Sequence, residues 1–441
     1  MAFINSKRII DAFRYILSPY QFGFVVGHYY LDKTKIEEVK DILFSSSNEK
    51  LRQDYERKLA GLIGDGYVVS FAAGRMAFYT LLKVLKIGYG DEVLMTGFTC
   101  SVMVNAVLRV GAKPIFADID PENFGPDPYD LEMKITPHTK VIVAQHSFGI
   151  PCNILAISKL AKEKNIFLVE DSAITLDSSF NGVKTGNWGD AAIFSSDHSK
   201  PINTLIGGYL YTRNQRLYQA ILNASVDLPE LDHNHKVRLF NRLLYEKIFF
   251  NPKNYKWDKI FDVYNLITRK IFGRKNELVF LEDDYDRPIS ANYHYPAKLP
   301  SFLAKVGMFE LDRWSDEKNI RKNILKRYLE VIKETKYAET IPKAYLDANL
   351  EITPLRFVFC TPDAKGLSKQ MASLVDINWT WFKYPIICCS KGPETMGYVP
   401  GSCPNAEKAG KMIINWPCVV ARGWENKLIS EFDRIIKGDH I

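Results

Sequence analysis

With 441 residues, 46% of them apolar, 25% charged and 13% aromatic, the chain has material for a large packed core and lacks the bias of a disordered or fibrous protein. No run approaches 18 apolar residues, and the start, MAFINSKRIIDAFRYILSPYQ, breaks its apolar stretch with Asp11 and Arg14, which makes it a poor signal peptide. Seven scattered cysteines without a CxxC pair argue against a disulfide framework and a zinc site, so a cytoplasmic, metal-free protein is expected.

The formal charge of +7 is concentrated. Between Lys236 and Lys275 eleven Lys or Arg face three acids, a net +8 that exceeds the charge of the whole chain. The basic character therefore belongs to one segment.

From residue 60 onward, short apolar runs alternate with helical patterns. Strands are expected at DEVLMTG (91–97), KPIFADI (113–119), KVIVAQH (140–146), IFLVED (166–171), AAIFSS (191–196) and GGYLYT (207–212). Helical spacing lies between them, in SVMVNAVLRVG and LAISKLAKEKN. Nearly continuous apolar strands of this kind predict a mostly parallel sheet covered on both faces. Ligands of such sheets bind beyond the carboxyl ends of the strands, where Asp171, Ser195 and Lys200 fall. Residues 222–285 interrupt the pattern with long basic, aromatic helical stretches. A helix, PSFLAKVGMFELDRW, then opens a smaller C-terminal α/β unit, which puts the domains at 1–285 and 286–441.

Four elements carry chemistry. VSFAAGRMAFYTLLKVL (68–84) reads as strand, small-residue turn and helix, so the turn at Ala73-Gly74-Arg75 points free N–H groups at an anion. Glu170-Asp171 ends a buried strand, where a carboxylate is either a helix cap or the partner of a cation. Lys200 follows Ser195 in FSSDHSKPINTLIGG with no acid adjacent to it; it is either solvated surface or an amine whose pKa burial lowers. Phe98-Thr99-Cys100 closes another strand, where a flat ligand could rest. A phosphate cradle, an acid for a ring nitrogen and a Schiff-base lysine are together what pyridoxal phosphate requires.

In order and spacing these motifs resemble the DegT-type sugar aminotransferases, which have the aspartate-aminotransferase fold. The resemblance rests on AAGRMAF (72–78), GDEVLMTGFTC (90–100), EDSA (170–173) and GNWGDAAIFSSDHSKPINTLIGG (186–208), with PSFLAKVGMFELDRW and CPNAEKAGKMI further on. It covers about 25–440 except the insertion. It implies pyridoxal 5'-phosphate as cofactor, Lys200 as the Schiff-base lysine and Asp171 as partner of the pyridine nitrogen. Gly74, Arg75 and Ser195 would surround the phosphate, and Ala173 and Cys100 would lie against the ring. It further implies a homodimer that moves an amino group from an amino acid, glutamate by expectation, to a nucleotide-linked keto-sugar for polysaccharide biosynthesis.

The chain also departs from that pattern. Cys100 stands where relatives hold a stacking aromatic, and Ile174 where a Gln or His often meets the cofactor. Leu205-Ile206 replace a Gly-Glu pair, and Pro296 and Lys298 replace Asn and Arg. Lysine at 200 argues against the sister dehydration, which uses histidine there. The alternatives are another reaction on the same fold and a degenerate homologue that only binds or regulates. No nucleic-acid module is recognised. The basic stretch at 236–275 reads either as amphipathic helices packed on the domain or as a contact for an anionic partner or membrane surface.

Overall fold

The computed structural model describes residues 17–45, 47–272, 279–281 and 293–438. Helices α1 (Lys33–Phe44) and α2 (Glu49–Ile63) lead into β1 (Tyr67–Phe71) and α3 (Gly74–Val84). Next come β2 (Glu92–Thr96), the short β3 (Thr99–Cys100), α4 (Ser101–Arg109), β4 (Lys113–Ala117), α5 (Pro128–Lys134), β5 (Thr139–Gln145), α6 (Ile154–Lys164) and β6 (Phe167–Asp171). A hairpin, β7 (Ser179–Phe180) and β8 (Val183–Lys184), precedes β9 (Ala191–Ser195) and β10 (Gly208–Thr212).

Seven of these strands form one sheet in the order β1-β10-β9-β6-β5-β2-β4. Only β10 runs antiparallel to its neighbours, β1 and β9; the other pairs are parallel. The expected strands are all present. Their interior positions are buried on both faces, as in Val93–Met95 and Val141–Ala144, because helices cover both sides of the sheet.

After β10 the chain forms α7 (Gln215–Ser225), α8 (His233–Phe249) and α9 (Tyr255–Phe272). The expected insertion thus contains two long helices, and its parts at 273–278 and 282–285 lie outside the described residues, as does residue 286. Its charge is partly consumed inside the protein. Arg242 pairs with Glu246 at 2.9 Å, Lys236 with Glu230 at 3.0 Å and Lys259 with the buried Asp376 at 2.7 Å.

The long α10 (Ser301–Ile332) crosses between two cores. Phe302, Leu303, Val306 and Trp314 pack in the core of the large sheet, whereas Ile324, Leu325, Tyr328 and Ile332 belong to the second core. The change of core falls inside one helix. Beyond it lie β11 (Leu350–Glu351), β12 (Arg356–Cys360), α11 (Ala364–Met371), β13 (Ile386–Ile387), α12 (Pro404–Met412), β14 (Ile413–Pro417) and α13 (Glu425–Lys437). Strands β12 and β14 pair antiparallel under the second core, and β13 adds to β3 in parallel, with Ile387 opposite Cys100. That last pairing brings the C-terminal half against the carboxyl ends of the large sheet. Among the described residues no helix is long and apolar enough to cross a membrane.

Candidate active site

A cavity of about 300 Å³ opens at the carboxyl ends of β3, β6 and β9 and is closed on the far side by the loop before β13. Gly74, Arg75, Cys100, Asp171, Ala173, Ser195 and Lys200 all line it, so the structure brings the sequence-predicted set to one place.

Helix α3 begins there with an extended residue, Ala73, at its N-cap and no side-chain hydrogen bond over its first turn. The first N–H groups and the positive end of the helix dipole therefore face the cavity edge. A glycine is required at 74, because a Cβ would meet Phe194 O at 2.9 Å. The neighbouring Gly208 is more constrained still, since its Cβ would fall 2.1 Å from Gly74 N. Arg75 is buried, and its guanidinium donates to Leu281 O and to Tyr293 Oη. The tail of the insertion thus reaches the anion end of the site.

Glu170 and Asp171 are adjacent in β6, so they point to opposite faces. Glu170 is fully buried and accepts from Gly186 N, Trp188 N and Gly189 N at 2.7–2.8 Å, and from His146 Nε2 at 3.0 Å. It anchors the loop before β9. Asp171 faces the cavity, where Oδ1 accepts from Ala173 N at 3.0 Å. Burial lifts its carboxyl above the ordinary value, against the hydrogen bond from Ala173 and the charges of Lys200 and His146.

Lys200 sits in the turn after β9, half-buried, with Nζ 4.3 Å from the ring centroid of Trp381. Burial lowers its pKa, and Asp197 opposes that shift most. The acid that the sequence reading found absent is present, three residues earlier and in the same cavity. It lies beside His198, Oδ1 to Nδ1 at 2.7 Å. Ser195 Oγ accepts from Asp197 N at 3.4 Å and donates to Gly207 O at 3.4 Å, so it helps shape this turn as well as lining the cavity.

Cys100 lines the cavity as the gap-free spacing implies. A hydrogen bond with the Cys388 thiol holds its pKa below the ordinary value, helped by the charges of Lys200 and Arg75 against the opposing effect of burial. Phe98, two residues earlier, is in the core against Phe382, with ring centroids 4.8 Å apart, and does not reach the cavity. Ile174 lines the cavity with an apolar surface.

The sequence reading missed the opposite wall. Asn378, Trp379, Trp381, Phe382 and Cys388 enter from the C-terminal half. Behind Trp381 the buried Arg356 guanidinium stacks at 3.8 Å from the ring centroid and also bonds Trp379 O and Asn415 Oδ1. The signal that could have found this wall is the aromatic cluster NWTWFKY in a loop-like stretch. For Asp197 and His198 it is their closeness in sequence to Lys200.

A doubly covered α/β sheet thus brings an amine, a carboxylate and an open helix N-terminus into one cavity. Residues 30–235 match the model of the DegT/DnrJ/EryC1/StrS aminotransferase family. GDP-perosamine synthase of Escherichia coli O157:H7 is 35% identical over 192 residues, 44% of this chain and 53% of that protein. The chain thus spans about half the length of the curated relatives it matches. Among solved structures, Spr1654 of Streptococcus pneumoniae in its PMP form superposes with TM-score 0.69 at 19% identity, covering 96% of this chain and 98% of that one. The Helicobacter pylori aminotransferase PseC, involved in the biosynthesis of pseudoaminic acid, gives 0.67 at 18% identity over 95% and 100%. At such identities these superpositions show the fold.

Proposed function

We propose that this protein is a pyridoxal-phosphate-dependent aminotransferase that moves an amino group from an amino acid, glutamate by preference, to a nucleotide-linked keto-sugar. One observation carries the reading: Lys200, its pKa lowered by burial, shares a cavity with Asp171 and the open N-terminus of α3. The residues fit the cofactor. Gly74 and Gly208 let the start of α3 pack directly on the β9 and β10 backbone, and the first N–H groups of α3 at the cavity edge suit a phosphate. The cofactor, when bound, supplies an aldehyde and an electron-accepting ring.

This chain's residues do the rest. Lys200 provides an amine that is neutral more readily than a solvated lysine, and it carries a proton to and from the donor's α-carbon. Asp171, ionised beside a ring nitrogen, keeps that nitrogen protonated. Gly74, Arg75 and Ser195 hold the phosphate end, and Ala173 and Cys100 flank the ring. Trp379 and Trp381 exclude water from the amine.

Homologous nucleotide-sugar enzymes and solved chains in PLP and PMP forms support this reading. With it go a homodimer, a cytoplasmic location, a role in polysaccharide biosynthesis and a division near 285/286 into cofactor and small domains. The test is a visible spectrum of the protein reconstituted with pyridoxal phosphate. A near-ultraviolet to blue band that glutamate bleaches, and that a nucleotide-linked keto-sugar restores with an aminated product by mass, is the expected result. A cofactor that binds but is never bleached by any amino donor would instead support a binding protein.

A further inference from the structure

The outward face of α9 is unusual for a helix packed on a soluble domain. Its inward side is well satisfied: Tyr255 and Asp258 are buried, and Lys259 pairs with Asp376. Its outward side carries Trp257, Phe261 and Tyr264 at i, i+4 and i+7, which share one helix face. They are 47%, 47% and 60% exposed, and Ile248 at the end of α8 is 55% exposed. Phe261 links this helix face to α8. The Phe261 ring lies 6.2 Å from Phe249 and 6.3 Å from Tyr264, and Asn254 Nδ2 ties the turn to Ile248 O at 2.9 Å. Three lysines flank them: Lys247 on α8, Lys253 in the turn, and Lys256, whose Nζ is 5.6 Å from the Trp257 ring.

We infer that this face of α8 and α9 is a docking surface for an anionic lipid bilayer. Exposed aromatic residues with flanking lysines are the composition that settles at the headgroup level, where an amphipathic ring meets both acyl chain and water. Charge argues the same way, because Lys247, Lys253 and Lys256 stand close in sequence to the exposed apolar residues and a negatively charged leaflet attracts them. A second copy of this chain is a poorer occupant. Each aromatic side chain offers about 150–250 Å² in full, so three roughly half-exposed ones present on the order of 300 Å², to which Ile248 adds a little. A stable interface needs about 800 Å² per partner, and two copies would meet with like charge. A bilayer requires no shape complementarity, and electrostatic attraction to anionic headgroups adds to the modest apolar area buried.

The placement links the surface to the cavity. Lys259, on the inner side of α9, lies 6.0 Å from the Trp379 ring, so one helix separates the aromatic stripe from the cavity wall. The inference does not depend on which reaction the cavity performs.

The test is co-sedimentation of the full chain with vesicles of phosphatidylcholine containing about a third phosphatidylglycerol, against pure phosphatidylcholine. The expected result is pelleting with the anionic vesicles only, weakened by high salt. Trp257→Ser combined with Phe261→Ser should reduce it about tenfold or more, and Lys253→Glu with Lys256→Glu should do likewise. Circular dichroism and cofactor binding should be unchanged in both variants. Absence of pelleting by the parent protein, or pelleting indifferent to both pairs of substitutions, would overturn the inference. So would a sedimentation-velocity result in which the serine variant dissociates an oligomer while the parent ignores vesicles, because the face would then join copies of the chain.

Discussion

The Lys200 ammonium lies 4.3 Å from the centre of the Trp381 ring, facing an aromatic wall supplied by the C-terminal half of the chain. Trp381 is itself backed by Arg356 at 3.8 Å, so the wall is rigid and the amine is shielded from water on that side. A cation–π contact favours the charged amine, whereas burial disfavours it more, and the net shift is downward.

The first prediction concerns that amine. Lys200→Ala should lower amino transfer on the order of a thousandfold or more, because it removes the amine that passes the proton. The protein should still fold and still bind cofactor through the α3 end of the cavity. Product measured by mass spectrometry at the parent rate would remove Lys200 from the mechanism.

Asp171→Asn keeps the shape of the side chain and the hydrogen bond from Ala173 but loses the charge. A ring nitrogen beside an amide would no longer hold its proton, so turnover should fall about 10²–10³-fold with little change in cofactor affinity. Single-turnover kinetics with glutamate separate the two effects. An unchanged rate would show that the carboxylate is only structural.

Cys100 is packed against Ile387 and Cys388 by the β3–β13 pairing. Replacing it with Phe should therefore overpack the cavity, costing about 1–3 kcal/mol, or roughly five- to 150-fold in cofactor affinity. Cys100→Ala should change affinity far less. If fluorescence titration gave one Kd for all three proteins, Cys100 would not face the cofactor.

Glu56 tests the core. It accepts from Ser70 N at 2.8 Å and Ser70 Oγ at 2.7 Å, bonds that favour its ionised form, yet burial lifts its pKa to about 7. In the unfolded chain it titrates near 4.3, so between these values the unfolded state holds fewer protons and stability falls as pH rises. The contribution is fully present below about pH 4.3 and is lost as pH climbs through 7. Glu56→Gln should remove this slope and be more stable at pH 8 by on the order of 2 kcal/mol. Urea unfolding at pH 5 and pH 8 reads the difference, and parallel pH profiles for the two proteins would refute the assignment.

By itself the sequence determined the local pieces. The apolar runs at 91–97, 140–146 and 166–171 read as buried strands, and the glycine opening a helix at 74 and the lysine after a strand at 200 follow from short-range pattern. These features are legible because strand period, turn chemistry and helix starts depend on neighbours in the chain. The sequence named Asp171 as the site carboxylate but gave Glu170 no role; the pleat of β6 sends Glu170 to the loop before β9 and Asp171 to the cavity. The aromatic wall, the Cys100–Cys388 contact and the hold of Arg75 on Leu281 were decided by the tertiary structure alone. Each joins segments far apart in sequence, and no local propensity encodes which distant surfaces will meet once two cores share the helix α10.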